Sequence, residues 1–210
     1  LGLRKVCYVV SLSKSHNKAN INRTHEQSLQ AYQEIRRELP DLNVIVDLAT
    51  TFGCPFEGKY EDPDQVVAFL KDYMDAGMNT CCLCDTIGIA DPSQVRRVIS
   101  ALQKAYPSLE LIVHFPDTRG LGMVNTLTAI DMGVTKVQSA LGGLGGCPFA
   151  PGASGNLSTE DLVWMLNEMG YDTGITFSKI LAAAKHQVAE ISGQYSGHHI
   201  CIQQETPCKK

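Results

Sequence analysis

The chain has 210 residues, with 18 Lys and Arg against 22 Asp and Glu, and a formal charge of −4. Charged residues make up 19% and hydrophobic ones 44%, a soluble globular composition with enough apolar material for one domain's core. No apolar run approaches the ~18 residues of a membrane span, charge blocks typical of disorder are absent, and the mildly acidic balance argues against nucleic acid as the main partner, because phosphate binding needs clustered Lys and Arg.

Eight cysteines would read as a disulfide framework in a short secreted chain. Here they sit mostly inside apolar runs and no signal peptide opens the sequence, so reduced thiols in an intracellular compartment are expected. Leu1-Gly2-Leu3 lacks an initiator Met and leads almost at once into an apolar strand; an incomplete N-terminus is expected.

In chain order, a strand is expected at residues 5–11, then a helix over 24–39 with Thr24 as its N-cap. A strand at 43–49 precedes a helix from Pro63 to about Gly77. A third strand at 79–84 leads to a helix over 92–106, a fourth strand at 111–115, and a helix over 121–132 stopped by Gly133. A fifth strand at 134–141 runs into a Gly-rich loop, and helices over 159–169 and 178–192 follow. Pro at helix starts and Gly at helix ends recur, the usual asymmetry of helix punctuation. Near-continuous apolar strands alternating with helices indicate parallel strands covered by helices. Polar residues gather after every strand, at 50–58, 85–91, 114–122 and 142–156. That distribution fits a (β/α)₈ TIM-barrel type, whose site is built from all its βα loops, better than an open sheet with one switch point. Only about five of eight strand–helix units are present. The expectation is a single α/β domain over 1–210, with a polar tail at 193–210.

The stretch Gly143-Leu144-Gly145-Gly146-Cys147-Pro148-Phe149, ending at Gly155-Asn156, is the most informative. Its glycines permit turns closed to other residues and close approach to a ligand, while Cys-Pro-Phe and a terminal Asn exceed what a plain linker needs. Neither the Walker nor the dinucleotide-binding spacing is present. Further motifs follow the same order along the chain: Ser15-His16-Asn17 with Asn20, Thr51-Phe52-Gly53-Cys54-Pro55-Phe56-Glu57-Gly58, Leu83-Cys84-Asp85-Thr86-Ile87-Gly88, His114, Asp117-Thr118-Arg119-Gly120, Ser158-Thr159-Glu160-Asp161-Leu162-Val163 and Met169-Gly170 with Thr173-Gly174.

Together these residues resemble the 3-hydroxy-3-methylglutaryl-CoA lyase family over essentially the whole chain. The Gly-Gly-Cys-Pro loop separates that family from its isopropylmalate and homocitrate synthase relatives. The resemblance implies metal-assisted retro-Claisen cleavage of an acyl-CoA to acetyl-CoA and acetoacetate, a step of leucine catabolism and ketone-body formation. It implies Cys147 as the catalytic thiol, Asp85 as a further active-site residue, Gly145 and Gly146 as the substrate-binding loop, and His114 and Asn156 as ligands of Mg²⁺ or Mn²⁺. Thiols are mostly protonated at neutral pH by their ordinary chemistry, which suits a proton donor. Asp85, in an Asp-Thr-Ile-Gly turn, reads equally well as a cap.

The chain departs from the family at telling places. Pro116 stands where a second ligand His is usual, and the Arg-Asp pair of the family's first strand has no counterpart in this sequence. Lys14 replaces a Glu, and Gln138 and Ala140 replace an Asp and a Ser. Two neutral ligands without a carboxylate make weak metal binding the expectation, since Mg²⁺ usually relies on one or two carboxylates. A non-catalytic relative that at most binds a CoA ester or a partner chain is the alternative. A homo-oligomer, or completion by further N-terminal sequence, is expected because open sheet edges invite association. The resemblance places the protein in the bacterial cytoplasm or, in a eukaryote, the mitochondrial matrix.

Among the remaining candidates, Cys81, Cys82 and Cys84 lie on a strand without a second pair at zinc-site spacing, so buried packing is expected. Cys54 faces the site or packs. His198 and His199 are expected in solvent, and Cys201 and Cys208 as exposed thiols.

Overall fold

The computed structural model describes residues 2–149 and 155–202. Cys208, the tail from 203 onward, Leu1 and the middle of the Gly-rich loop lie outside the described residues. The elements in order are β1 (Lys5–Ser11), α1 (Lys14–Ile21), α2 (His25–Glu38), β2 (Asn43–Ala49), β3 (Gly53–Cys54), β4 (Gly58–Lys59), α3 (Asp64–Asp75), β5 (Thr80–Cys84), α4 (Pro92–Ala105), β6 (Glu110–His114), α5 (Gly122–Asp131), β7 (Lys136–Val137), a 3₁₀ turn (Leu141–Gly143), α6 (Thr159–Glu168), α7 (Phe177–Glu190) and a 3₁₀ turn (His199–Cys201).

Five strands form one parallel sheet in the order β1-β2-β5-β6-β7. Each strand lies beside the next main strand of the chain, without the order reversal of a doubly wound sheet. Successive right-handed crossovers in one direction put the helices on one face and leave the other concave. On the helical face Val44, Val46, Leu48, Leu83, Val113 and Phe115 are fully or almost fully buried within the main apolar cluster. At roughly 1.5–3 kcal/mol for each large side chain removed from water, this face is where the sheet is held. A smaller cluster of Ile45, Cys82 and Ile112 lies on the concave face. The side chains alternate because successive residues of a strand point to opposite faces.

Helix ends follow their local chemistry. Thr24 closes a reciprocal capping box with Gln27 at the start of α2, and Asp91 accepts from the backbone N–H groups of Ser93 and Gln94 ahead of Pro92, each satisfying donors the first turn leaves open. Two elements escaped the sequence reading. Helix α1 is almost wholly polar, so no apolar period marks it; it is set by Ser13, whose hydroxyl accepts from the His16 N–H at 3.0 Å. The β3–β4 hairpin has two residues per strand, too short for an alternating pattern.

The expected fifth strand at 134–141 is corrected to the two residues of β7. Gln138 still donates its N–H to the Val113 carbonyl at 2.9 Å, but Ala140 leaves the sheet to bridge Ser158. Beyond β7 the pairing among the described residues shrinks to that single parallel bridge, in which Ala140 donates its N–H to the Leu157 carbonyl at 3.0 Å and accepts from the Thr159 N–H at 2.9 Å. Among those residues no helix is long and apolar enough to cross a membrane.

Candidate active site

The concave face opens into a cavity of about 270 Å³ at the C-terminal ends of the strands. Its walls bring together His114 from the end of β6, Cys147 and Gly146 from the Gly-rich loop, and Asn156 from that loop's far end, with Asp47, Cys84 and Pro116 beside them. These side chains reach one space because the loops after parallel strands all emerge at the same end of the sheet. Residues forty positions apart in sequence thus share one pocket.

His114 is largely buried, and burial lowers its pKa below the ordinary imidazole value. The ring is therefore neutral at pH 7 and keeps a lone pair. Its Nδ1 is buried without a hydrogen-bond partner. Asn156 donates its amide Nδ2 to the Leu144 carbonyl at 3.0 Å, which fixes the side chain on the cavity wall.

The loop is fitted to Asn156 by glycine. Gly145 has φ +141 and a Cβ there would collide with the Asn156 amide, so only glycine permits the approach. Past Cys147, Phe149 packs on the His16 ring at a centroid distance of 4.4 Å and edge-on to Phe56 at 6.1 Å. Helix α1 and the β3–β4 hairpin thereby hold the loop against the body.

The base of the loop is tied from the C-terminal side. Asn156 donates its N–H to the Gly143 carbonyl at 3.0 Å, and the Ser196 hydroxyl donates to the Asn156 carbonyl at 2.8 Å. Ser196 and Gly197 donate their N–H groups to the Gly142 carbonyl at 3.0 and 2.9 Å, and Gly142 donates its own to Glu160 Oε2 at 2.9 Å. Asp161, at the start of α6, grips this strap: it accepts from the backbone N–H of His198 and of His199 at 2.7 and 3.0 Å and meets both imidazole Nδ1 atoms. Burial pushes the Asp161 pKa up, but these bonds outweigh it and the net shift is downward. His199, expected in solvent, instead sits between Trp164 and Phe177 with its side chain 12% exposed; the side chain of His198 is 80% exposed.

Asp85 is not among the residues lining the cavity. It is 1% exposed, and its two carboxylate oxygens accept from the N–H groups of Ile89 and Ala90 at 2.9 and 3.0 Å, the cap-like role of an Asp in a turn. Its own N–H donates to the His114 carbonyl at 3.0 Å, so Asp85 ties the loop after β5 to the end of β6. Cys81 and Cys82 are fully buried as packing residues, Cys54 is buried against Ser13, and Cys201 is exposed. Among the described residues no disulfide forms.

Two contributors were missed in the sequence. Asp47 lines the cavity, and its signal was present, a lone carboxylate in the apolar run of β2. Ser196 had no such signal, because only a contact forty residues away gives it meaning. As for a metal, the His114 ring, whose Nδ1 has no partner, and the Asn156 side-chain amide are donors of a kind that fit part of a divalent-ion site, and both residues line one cavity. Pro116 adds no donor, and among the described residues no three His, Cys, Asp or Glu side chains gather into a metal cluster. Water or a further ligand would have to fill the remaining positions.

Comparison with known proteins agrees with this geometry. The chain is 40% identical over 186 residues to a hydroxymethylglutaryl-CoA lyase of Bacillus subtilis, covering 88% of this chain and 62% of that protein. It therefore spans about six-tenths of that relative's length. A crystal structure of the Bacillus subtilis HMG-CoA lyase superposes with a TM-score of 0.88 at 37% identity, over 95% of this chain and 67% of the other. An HMG-CoA lyase from Acinetobacter baumannii, solved in complex with coenzyme A and 3-methylmalate, superposes with a TM-score of 0.82 at 41% identity, over 89% and 61% of the two chains. The five-stranded sheet is thus part of a TIM barrel, and lyases of this kind are typically dependent on a divalent metal. Residues 2–186 match the HMGL-like family, and the chain belongs to it.

Proposed function

We propose that this chain is a carbon–carbon lyase of the hydroxymethylglutaryl-CoA type, cleaving its acyl-CoA substrate to acetyl-CoA and acetoacetate. The observation that carries the reading is the convergence of Cys147, His114 and Asn156 on one cavity at the C-terminal ends of parallel strands. A Mg²⁺ or Mn²⁺ ion held by His114 and Asn156 would supply Lewis-acid polarisation of the substrate's hydroxyl and carboxylate.

The chain's own residues account for the rest. His114 is neutral and presents a lone pair, and the Leu144 carbonyl holds the Asn156 amide on the cavity wall. The Cys147 thiol hands its proton to the carbon of the departing acetyl-CoA enolate. The substrate hydroxyl gives its proton to water as the carbon–carbon bond breaks, and the Cys147 thiolate left after donation takes one back from water, so the protons balance. Phe149, docked on His16 and Phe56, keeps the loop over the cavity and limits water there. Asp85 acts as a positioning residue, fixing the backbone at His114. The β1 edge, and the chain beyond β7, support association with a second copy or with further barrel strands.

The test is release of acetoacetate from 3-hydroxy-3-methylglutaryl-CoA by the purified protein with Mg²⁺ or Mn²⁺. Cys147→Ala is expected to lower the rate about 10²–10⁴-fold with the melting temperature unchanged. Equal rates for the two proteins, or no turnover at any metal concentration, would overturn the assignment.

A further inference from the structure

The aromatic seat of the Gly-rich loop is held by a carboxylate that takes no part in the reaction above. Glu57 stands on the turn of the β3–β4 hairpin, next to Phe56, and reaches across to α1. Its Oε1 accepts from the Ser13 hydroxyl at 2.7 Å and from the Ser15 hydroxyl at 2.5 Å, and its Oε2 accepts from the Tyr60 hydroxyl at 2.6 Å. The Ser15 and Tyr60 hydroxyls hold the carboxyl below the usual carboxylate range. It is therefore ionised at neutral pH, and each of these bonds is charge-assisted. No Lys, Arg or His among the described residues forms an ion pair with it; its partners are three neutral hydroxyls from the two sides of the seat.

The two rings that receive Phe149 sit on the elements that Glu57 joins. Ser13 Oγ donates to Glu57 while it accepts from the His16 N–H at 3.0 Å and from the Cys54 thiol at 3.1 Å. The His16 ring is set by Ser11 Oγ, 2.8 Å from its Nδ1, and lies against Phe149 at 4.4 Å. Phe56 meets Phe149 at 6.1 Å and His16 at 6.4 Å, which closes a triangle of rings. Phe56 is 56% exposed, so packing alone does little to fix it, whereas the neighbouring carboxylate ties its turn to α1. From Phe149 the restraint reaches the thiol within two residues. Pro148 locks its own φ and confines Cys147 before it to extended backbone, so a seated Phe149 leaves Cys147 few free torsions. On the other side of Cys147 lie Gly145 and Gly146, residues of the widest backbone freedom.

We propose that Glu57 is a positioning residue for Cys147: by bonding the β3–β4 hairpin to α1 it keeps His16 and Phe56 together as the seat of Phe149, and through Pro148 it keeps the thiol at the cavity. This rests on the reading of Cys147 as the proton donor, and labelling of the substrate-free protein tests it apart from turnover.

The experiment is the rate of Cys147 alkylation by iodoacetamide in the substrate-free full chain, read by mass spectrometry with the exposed Cys7 and Cys201 as controls. Glu57→Gln removes the charge and one acceptor oxygen. It is expected to speed Cys147 labelling about three- to tenfold, with the controls unchanged and hydrogen exchange faster at residues 144–147. Phe149→Ala is expected to give a similar acceleration, and adding Glu57→Gln to it to change little more, because residues that act through one contact are not additive. Ser15→Ala removes a single bond and is expected to act in the same direction by less. In turnover, Glu57→Gln is expected to lower kcat with KM nearly unchanged, since the thiol acts in proton transfer rather than in holding substrate. An unchanged or slower labelling of Cys147 in Glu57→Gln, even with a lowered melting temperature, would overturn the proposal and leave the carboxylate a local tie. Effects of Glu57→Gln and Phe149→Ala that multiply in the double variant would also overturn it. Absence of turnover in every protein would overturn the lyase reading instead, and the labelling rates would still decide the role of Glu57.

Discussion

The two faces of the five-stranded sheet obey opposite rules. Toward the helices, β2, β5 and β6 present Val46, Leu48, Leu83 and Val113, all fully buried and all apolar. Toward the cavity the same strands present Asp47, Cys84 and His114, and leave Asp47 Oδ1 and His114 Nδ1 buried without partners. The helix-side core also leaves the Tyr32 and Tyr73 hydroxyls buried without partners, so what sets the cavity side apart is that its strands themselves carry a carboxylate and an imidazole. Strands that alternate sides every residue can hold both rules at once, and the contrast marks where stability yields to function.

That contrast can be broken from the helical side first. Leu83→Ala is expected to lower unfolding free energy by about 2–5 kcal/mol, read from urea denaturation, whereas Cys84→Ala, one residue on and facing the cavity, is expected to cost far less. Comparable losses would erase the distinction between the faces.

A smaller effect sharpens the cavity side. Ser196→Ala removes the hydroxyl that bonds the Asn156 carbonyl and is expected to cost about 1–3 kcal/mol. It should also speed hydrogen exchange at residues 142–146 and 156, with β2 and β5 unaffected. Uniform acceleration across the protein would show that the strap only contributes general stability.

The smallest effect is at acid pH. The folded-state pKa of Asp161 lies below its ordinary value, so its contribution is present above about pH 4–5 and lost as pH falls through the folded value. Asp161→Asn is expected to flatten the acid limb of stability against pH between about pH 5 and 2, measured as the shift in urea midpoint. Superimposable acid limbs in the two proteins would remove the clamp on His198 and His199 from the account.

Much of the architecture was legible because local chemistry and packing agree. The Pro92 start and the Gly77 and Gly133 stops bracket helices that the structure reproduces within a residue or two. What escaped had no local pattern. Helix α1 carries no apolar stripe, β7 is cut short where Ala140 turns to Ser158, and His199 is enclosed only because Trp164 and Phe177 meet there. The cavity shows the same division. Cys147, His114 and Asn156 stood out by motif, whereas Asp47 and Ser196 gain meaning only once the sheet curls and the C-terminal strap returns across the loop. Asp85 was readable as either cap or site residue, and its bonds to Ile89 and Ala90 show the cap.

The most direct measurement is residue-resolved alkylation of Cys147 by iodoacetamide, with Mn²⁺ present, with and without 3-hydroxy-3-methylglutaryl-CoA. Mass spectrometry would follow the exposed Cys7 and Cys201 as internal controls. Selective protection of Cys147 by the acyl-CoA is the predicted result. Equal labelling of Cys147 in both conditions, with substrate binding shown independently, would place the substrate elsewhere and contradict the account.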